Sequence, residues 1–203
     1  MGGQPKHQLT LGAKPLLEHV IDRAQPQVAQ LLLNFNPPIS TDMMSRHPDL
    51  PIIEDSLPGH LGPLAGVLSA LQWMQKNGDR PWLASFAVDT PLFPLDLVTR
   101  LLHSSHHQNR ASSAQLICPT YGGHKQPTFC LWHIDQTEAL KTWLVEEQNY
   151  RMGAWLEQQD AHYCDLSATG PKASSDGSVI DPFTNINKPE DLRSLEQALT
   201  LED

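Results

Sequence analysis

The sequence predicts an α/β fold, a mostly parallel sheet with helices on both faces. Short apolar runs of strand length alternate with stretches whose apolar residues recur at helical spacing. That strand, helix, strand, helix rhythm calls for crossover connections, which join parallel strands. The runs also end in polar residues, Asn34, Asp55 and Asp89, where parallel sheets collect their ligands.

From Pro15 to about Ala24, the residues Leu16, Leu17, Val20, Ile21 and Ala24 form one helical face, with Pro15 suited to the first turn. Pro26 stops that helix, and Val28 to Phe35 reads as a buried strand around Leu31-Leu32-Leu33. Ile52-Ile53 is a short strand ending in Glu54-Asp55. Gly62-Pro63 opens a helix through Leu64, Val67, Leu68, Leu71 and Met74 that stops near Gly78. Trp82 to Val88 is a further strand, closed by Asp89-Thr90-Pro91, and Pro94 to about His103 is helical.

The second half predicts strands at Ala114 to Cys118 and Thr128 to Ile134, separated by the turn Tyr121-Gly122-Gly123. Asp135 with Glu138 resembles a capping box for a helix to about Glu147. Helical stretches at Met152 to Leu156 and Pro189 to Leu199 flank a loop from Ser167 to Gly177. Trp73, Trp132, Trp143 and Trp155 fall on apolar faces and are expected in the core. With no repeat and no linker, residues 1–203 read as one domain.

Lys plus Arg is 14 against 23 Asp plus Glu, a net charge of −9. That balance argues against nucleic-acid and anionic-membrane partners, which need basic excess. A small phosphate-bearing ligand stays open, since a few placed groups suffice for it. Cys118, Cys130 and Cys164 form no C-x-x-C pair, so neither a disulfide framework nor a thiolate zinc site is indicated. His103, His106 and His107 lie in a Ser- and Gln-rich stretch and read as a solvated helix end or loop. The sequence contains no apolar run of the roughly 18 residues a membrane helix needs, and the expected location is cytoplasmic.

Several positions carry chemistry. Asp89 is a hard oxygen ligand suited to Mg²⁺, which binds through one or two carboxylates plus substrate phosphates. A helix cap is the competing reading, although Asp89 lies early for it. Gly2, Gly3 and Lys6 combine backbone access with a point charge, as a phosphate site needs, and also read as a flexible start. Gly62 and Gly66 flank a helix N-terminus open to a ligand's approach, or simply begin a helix. Asn185 and Asn187 alternate with Ile186, so as a strand end two amides face one way, while a turn plus a helix cap explains Asn187 equally well. For any one of Asn34, Asp55 and Asp89, capping or turn formation is explanation enough; with three in register, the ligand reading stands beside it. No P-loop, G-x-G-x-x-G or nucleophile element is present.

Taken together these segments resemble the molybdenum cofactor guanylyltransferase family, among nucleotidyltransferases of the sugar-nucleotide type. The resemblance runs in order through Met1-Gly2-Gly3-x-x-Lys6, Leu11-Gly12-Ala13-Lys14-Pro15-Leu16 with His19-Val20, Asn34-Phe35-Asn36 and Ile53-Glu54-Asp55. It continues through Gly62-Pro63-Leu64-Ala65-Gly66, Asp89-Thr90-Pro91, Gln126-Pro127-Thr128 and Asn185-Ile186-Asn187-Lys188-Pro189-Glu190. Family members carry a strand and a Leu-Ala-Gly-Gly-x-x-x-Arg segment ahead of the Met-Gly-Gly that stands here at residues 1–3, and an Asp where this sequence has Pro5. A start assigned downstream of the true one is the expected explanation of that difference.

The resemblance implies a Rossmann-like fold of the nucleotide-diphospho-sugar transferase type, and transfer of GMP from GTP to the phosphate of molybdopterin with release of pyrophosphate. Lys6 and Asp89 would be catalytic, with Asp89 holding Mg²⁺. Gly2, Gly3, Lys6, Asn34, Asp55, Gly62, Gly66 and Asp89 would bind the nucleotide; Arg151, Asn185 and Asn187 would face the pterin. GTP and molybdopterin are the expected partners, with transient contact to other cofactor-biosynthesis proteins or molybdoenzymes. The alternatives are the same fold acting with CTP or on a sugar phosphate, and a non-catalytic cofactor-binding protein without the triphosphate loop.

Overall fold

A computed structural model of the protein describes residues 9–37, 45–59, 61–106, 114–167, 181–187, 191–193 and 195–196. Strands β1 (Thr10–Leu11) and β2 (Lys14–Pro15) form a small antiparallel hairpin leading into α1 (Leu16–Ala24). Then come β3 (Leu33–Asn34), β4 (Ile52–Ile53), α2 (Pro63–Asn77), β5 (Trp82–Ala84) and α3 (Leu97–His106). The second half adds β6 (Leu116–Tyr121), β7 (His124–Lys125), β8 (Leu131–His133), α4 (Gln136–Val145), α5 (Met152–Gln158) and β9 (His162–Asp165).

The α/β class and the two helical faces are as expected, but the strand pairing described is mixed. β3 and β4 are parallel, as are β6 and β9. β8 runs antiparallel to both β5 and β6, and β7 antiparallel to β6. Connection length explains the difference. Gly122 and Gly123, at φ 56° and 79°, turn β6 straight back into β7, and a single 3₁₀ turn at Pro127–Phe129 leads on to β8. Among the described strands, the two parallel pairs, β3 with β4 and β6 with β9, are joined by connections long enough for a crossover.

Alternation along β6 and β8 sorts the core into two layers. Leu116, Cys118 and Trp132 face α2, α4 and α5, where Leu68, Leu144 and Trp155 meet them. Ile117 and Leu131 face the other way, onto Val20 and Ala24 of α1 and Leu97 and Leu101 of α3. Trp132 and Trp155 are fully buried as expected, while Trp73 and Trp143 are half-buried. All three cysteines are buried free thiols; Cys130 Sγ donates to the Pro127 carbonyl at 3.3 Å and Cys118 Sγ to the Pro119 carbonyl at 3.4 Å. Burial is the main reason Cys130 is pushed well above the usual thiol range.

Several elements differ from expectation in extent. The run from Val28 to Phe35 forms ladder only at Leu33–Asn34, because its partner β4 is two residues long. Trp82 to Val88 likewise pairs only as far as Ala84 in the ladder, opposite a three-residue β8, before bending towards Asp89. α3 begins at Leu97, since residues 94–96 form the turn in which Leu97 N–H donates to the Pro94 carbonyl at 3.3 Å. The capping box at Asp135 is not made: its backbone is helical, and its carboxylate lies 3.1 Å from His133 Nδ1. Thr137 closes that turn instead, donating Oγ1 to the Ile134 carbonyl at 2.6 Å. Of the expected loop 167–177 only Ser167 is described, and of the expected final helix only residues 191–193 and 195–196, which are helical. Among the described residues, no helix is long and apolar enough to cross a membrane.

Candidate active site

Parallel pairing of β3 with β4 sets Asn34 opposite Ile53, so the chain leaves both strands at the same end. Two residues further on, Asn36 and Asp55 clasp one another. Asn36 Nδ2 donates to Asp55 Oδ2 at 2.7 Å, and Asp55 N–H donates to Asn36 Oδ1 at 2.9 Å. Asn34 Nδ2 reaches the Ile53 carbonyl at 3.4 Å. The loop after Asp55 is tied to α2 by Ser69, whose buried Oγ accepts from Ser56 N–H at 2.7 Å and donates to the Ala65 carbonyl at 2.8 Å. These bonds fix Asp55 from both sides.

The start of α2 closes this corner. Gly62 sits at φ 78°, which only glycine adopts without strain, and Pro63 takes the first helical position. Among the described residues, no side chain caps this helix end. A Cβ at Gly66 would overlap Asn34 Oδ1, lie 3.2 Å from Asn34 Cγ and 3.7 Å from Asp55 Oδ1. Asn34, Asp55 and Gly66 therefore converge, and among the described residues the buried Asp55 Oδ1 has no hydrogen-bond partner. A buried, unpartnered carboxylate oxygen calls for an external donor, because leaving it unsatisfied is costly.

A second corner forms around Asp89. Past Val88, a turn in which Thr90 N–H donates to the Ala87 carbonyl at 3.3 Å presents the half-buried Asp89. Thr90 is fully buried; its hydroxyl donates to Asn185 Oδ1 and lies 3.4 Å from Asp89 Oδ1. Ile186 N–H donates to the Asp89 carbonyl at 2.7 Å. What returns residues 181–187 to this turn is apolar burial. Phe183 meets Phe129 edge to face at 5.3 Å between ring centres, and Ile186 is buried with Leu11, Leu16 and Leu195. Each such side chain stabilises the arrangement by about 1.5–3 kcal/mol relative to exposure. Asn185 and Asn187 are both exposed on either side of buried Ile186, as their alternation predicts. The two corners are linked by Val88, which packs in one cluster with Leu33, Phe35 and Ile52.

Gly2, Gly3 and Lys6 lie outside the described residues, as does His107. Arg151 is exposed at the N-terminus of α5, its N–H accepted by Asn149 Oδ1 at 3.1 Å, on the α2–α4–α5 side of the sheet. No described group of three His, Cys, Asp or Glu forms a metal cage. A single half-buried carboxylate in the turn beyond β5 matches the protein's share of the donor set of Mg²⁺ held jointly by protein and phosphates. Asp89 fits that ion in this restricted sense.

Residues 1–162 match the family model of the MobA-like NTP transferase domain. The chain is 32% identical to a molybdenum cofactor guanylyltransferase of Rhizobium meliloti over 203 residues, covering 99% of this chain and 88% of the relative. Identity is 35% with the enzyme of that name from Nitrobacter hamburgensis, over 100% of this chain and 90% of the relative. The chain belongs to the molybdenum cofactor guanylyltransferase family. Molybdopterin-guanine dinucleotide biosynthesis protein A from Archaeoglobus fulgidus superposes with a TM-score of 0.74 at 18% identity, covering 98% of this chain and 92% of that one. A 4-diphosphocytidyl-2C-methyl-D-erythritol synthase follows at 0.68 and 12% identity, over 97% and 94%. At such identities the solved structures establish a shared fold, the nucleotide-diphospho-sugar transferase type.

Within this guanylyltransferase-family chain, the structure adds Asn36, Ser69 and Thr90 to the residues that build the site. Asn36 stands two positions beyond Asn34, the strand repeat, and that spacing is a sequence signal for a shared edge. Thr90 adjoins Asp89, but its bond to a residue 95 positions away has no local signature.

Proposed function

We propose that this protein transfers GMP from GTP to the phosphate of molybdopterin, in the cytoplasm, forming molybdopterin guanine dinucleotide. A terminal phosphate oxygen of molybdopterin attacks the α-phosphorus of GTP, and the bond to the β-phosphate oxygen breaks, releasing pyrophosphate. The nucleophile belongs to the substrate, so the chain's work is positioning and charge neutralisation.

The observation that carries this reading is the buried, unpartnered Asp55 Oδ1 beside Gly66. Guanine presents two adjacent donors, N1–H and the 2-amino group, on one edge. Adenine and cytosine each offer one amino donor beside a ring-nitrogen acceptor, which a carboxylate repels. Asp55 takes the guanine edge, Gly66 leaves room for the Asn34 side chain to lie beside Asp55, and Asn34 flanks the nucleoside.

Asp89 would hold Mg²⁺, which when bound acts as a Lewis acid on the phosphate oxygens. Lys6, with Gly2 and Gly3, would neutralise and cradle the phosphates. Asn185, Asn187 and Arg151 would bind the pterin substrate, with Asn185 oriented by the Thr90 hydroxyl. The deciding experiment measures molybdopterin-dependent pyrophosphate release with GTP, CTP and ATP, with and without Mg²⁺. The reading expects release with GTP and Mg²⁺; equal release with CTP, or release independent of molybdopterin, overturns it.

A further inference from the structure

Asp55 carries an asymmetric carboxylate. Oδ2 is engaged by Asn36 Nδ2 at 2.7 Å, while Oδ1 is buried and has no partner among the described residues. The same Asn36 accepts the Asp55 N–H through Oδ1 at 2.9 Å, so one side chain grips both the backbone and the head group of Asp55. A carboxylate joined to the chain by two single bonds would otherwise rotate about χ2, which is a broad, two-fold torsion. The clasp fixes that rotation and decides which oxygen meets the Gly66 side.

We infer that Asn36 is a positioning residue for nucleobase selection: by holding Asp55 Oδ2 and N–H, it presents Oδ1 as the base acceptor. This inference rests on reading Asp55 as the acceptor for guanine. Asn36 is itself exposed, so its side chain has little packing to lose. Its part is orientation: a pre-set acceptor needs no reordering when the nucleotide arrives. The chemistry also excludes the isosteric acid at position 36, since two carboxylates at this distance repel.

The test is competition binding of GTP and ATP to the full chain and to two variants, with thermal melting run in parallel. In Asn36→Leu the preference for GTP over ATP should fall about tenfold, the scale of a hydrogen bond to a charged group, with the melting temperature nearly unchanged. Asn36→Asp keeps an acceptor for the Asp55 N–H but loses the donor to Oδ2, and should lose the preference as well. It serves as the readout should Asn36→Leu fold poorly. In an Asp55→Ala background, Asn36→Leu should change nothing further, because its effect passes through Asp55. A preference that survives both Asn36 variants, or an equal loss with Asp55 already removed, overturns the inference alone. A wild-type chain with no preference for GTP overturns the base reading and this inference together.

Discussion

The two corners of the candidate site are built differently. Asn34, Asn36, Asp55 and Gly66 come from one parallel strand pair and the helix after it, and the clasp joins residues 19 positions apart. Asp89, Thr90 and Asn185 meet only because a distant segment returns, joining residues 95 positions apart. The first corner leaves a buried acceptor unpartnered; in the second, Thr90 faces the amide oxygen of Asn185. On the proposed function, the first corner would need an unspent acceptor for the base, whereas the second would need its side chains held rigidly beside the phosphates. The difference teaches that local pairing suffices to aim one carboxylate, but a composite rim depends on the whole core.

Four substitutions would break or sharpen this contrast. Asp89→Asn should have the largest effect, lowering Mg²⁺-supported turnover by about a hundredfold or more while GTP binding without the metal changes little. Pyrophosphate release measures it, and an unchanged rate removes Asp89 from the role. Asp55→Ala should come next, weakening GTP far more than ATP in competition binding, by about tenfold or more, the scale of a lost hydrogen bond to a charged group. Equal losses for the two nucleotides would leave Asp55 a turn former and erase the distinction between the corners.

Gly66→Ala separates stability from binding. A helical Gly→Ala change favours the helix by up to about 1 kcal/mol, but the added methyl overlaps Asn34 Oδ1 and must displace it. Melting should therefore be level or raised while GTP affinity falls; a parallel loss of both would place the strain in the helix instead. Thr90→Val should have the smallest effect. It keeps the shape but removes the hydroxyl facing Asn185, costing about 1–2 kcal/mol of stability for the lost bond. Titration of GTP should be nearly unaffected while molybdopterin affinity drops, because the C-terminal segment and not the base-reading corner is loosened.

How far the site was legible follows from the same contrast. Asn34, Asp55 and Asp89 announce themselves as polar residues closing apolar runs, and Gly62-Pro63 marks the helix start by known backbone preferences. The alternation of Asn185, Ile186 and Asn187 was readable too, and the burial pattern follows it. The antiparallel pairing of β8 was not, because a run such as Leu131-Trp132-His133 carries no mark of the direction in which it pairs. The strand ends of Val28 to Phe35 and Trp82 to Val88 were overextended for a related reason: a ladder is only as long as its partner.

The amino-acid order alone determined the α/β alternation, the helix starts, the Gly122-Gly123 turn and the residues offered at the strand ends, since these depend on neighbours within a few positions. Only the tertiary structure decided which carboxylate oxygen stays unpartnered, that Asn36 holds its twin, and that Thr90 meets Asn185. Those outcomes depend on where separate elements come to rest, and burial of apolar side chains far along the chain, Phe183 and Ile186 among them, sets that placement.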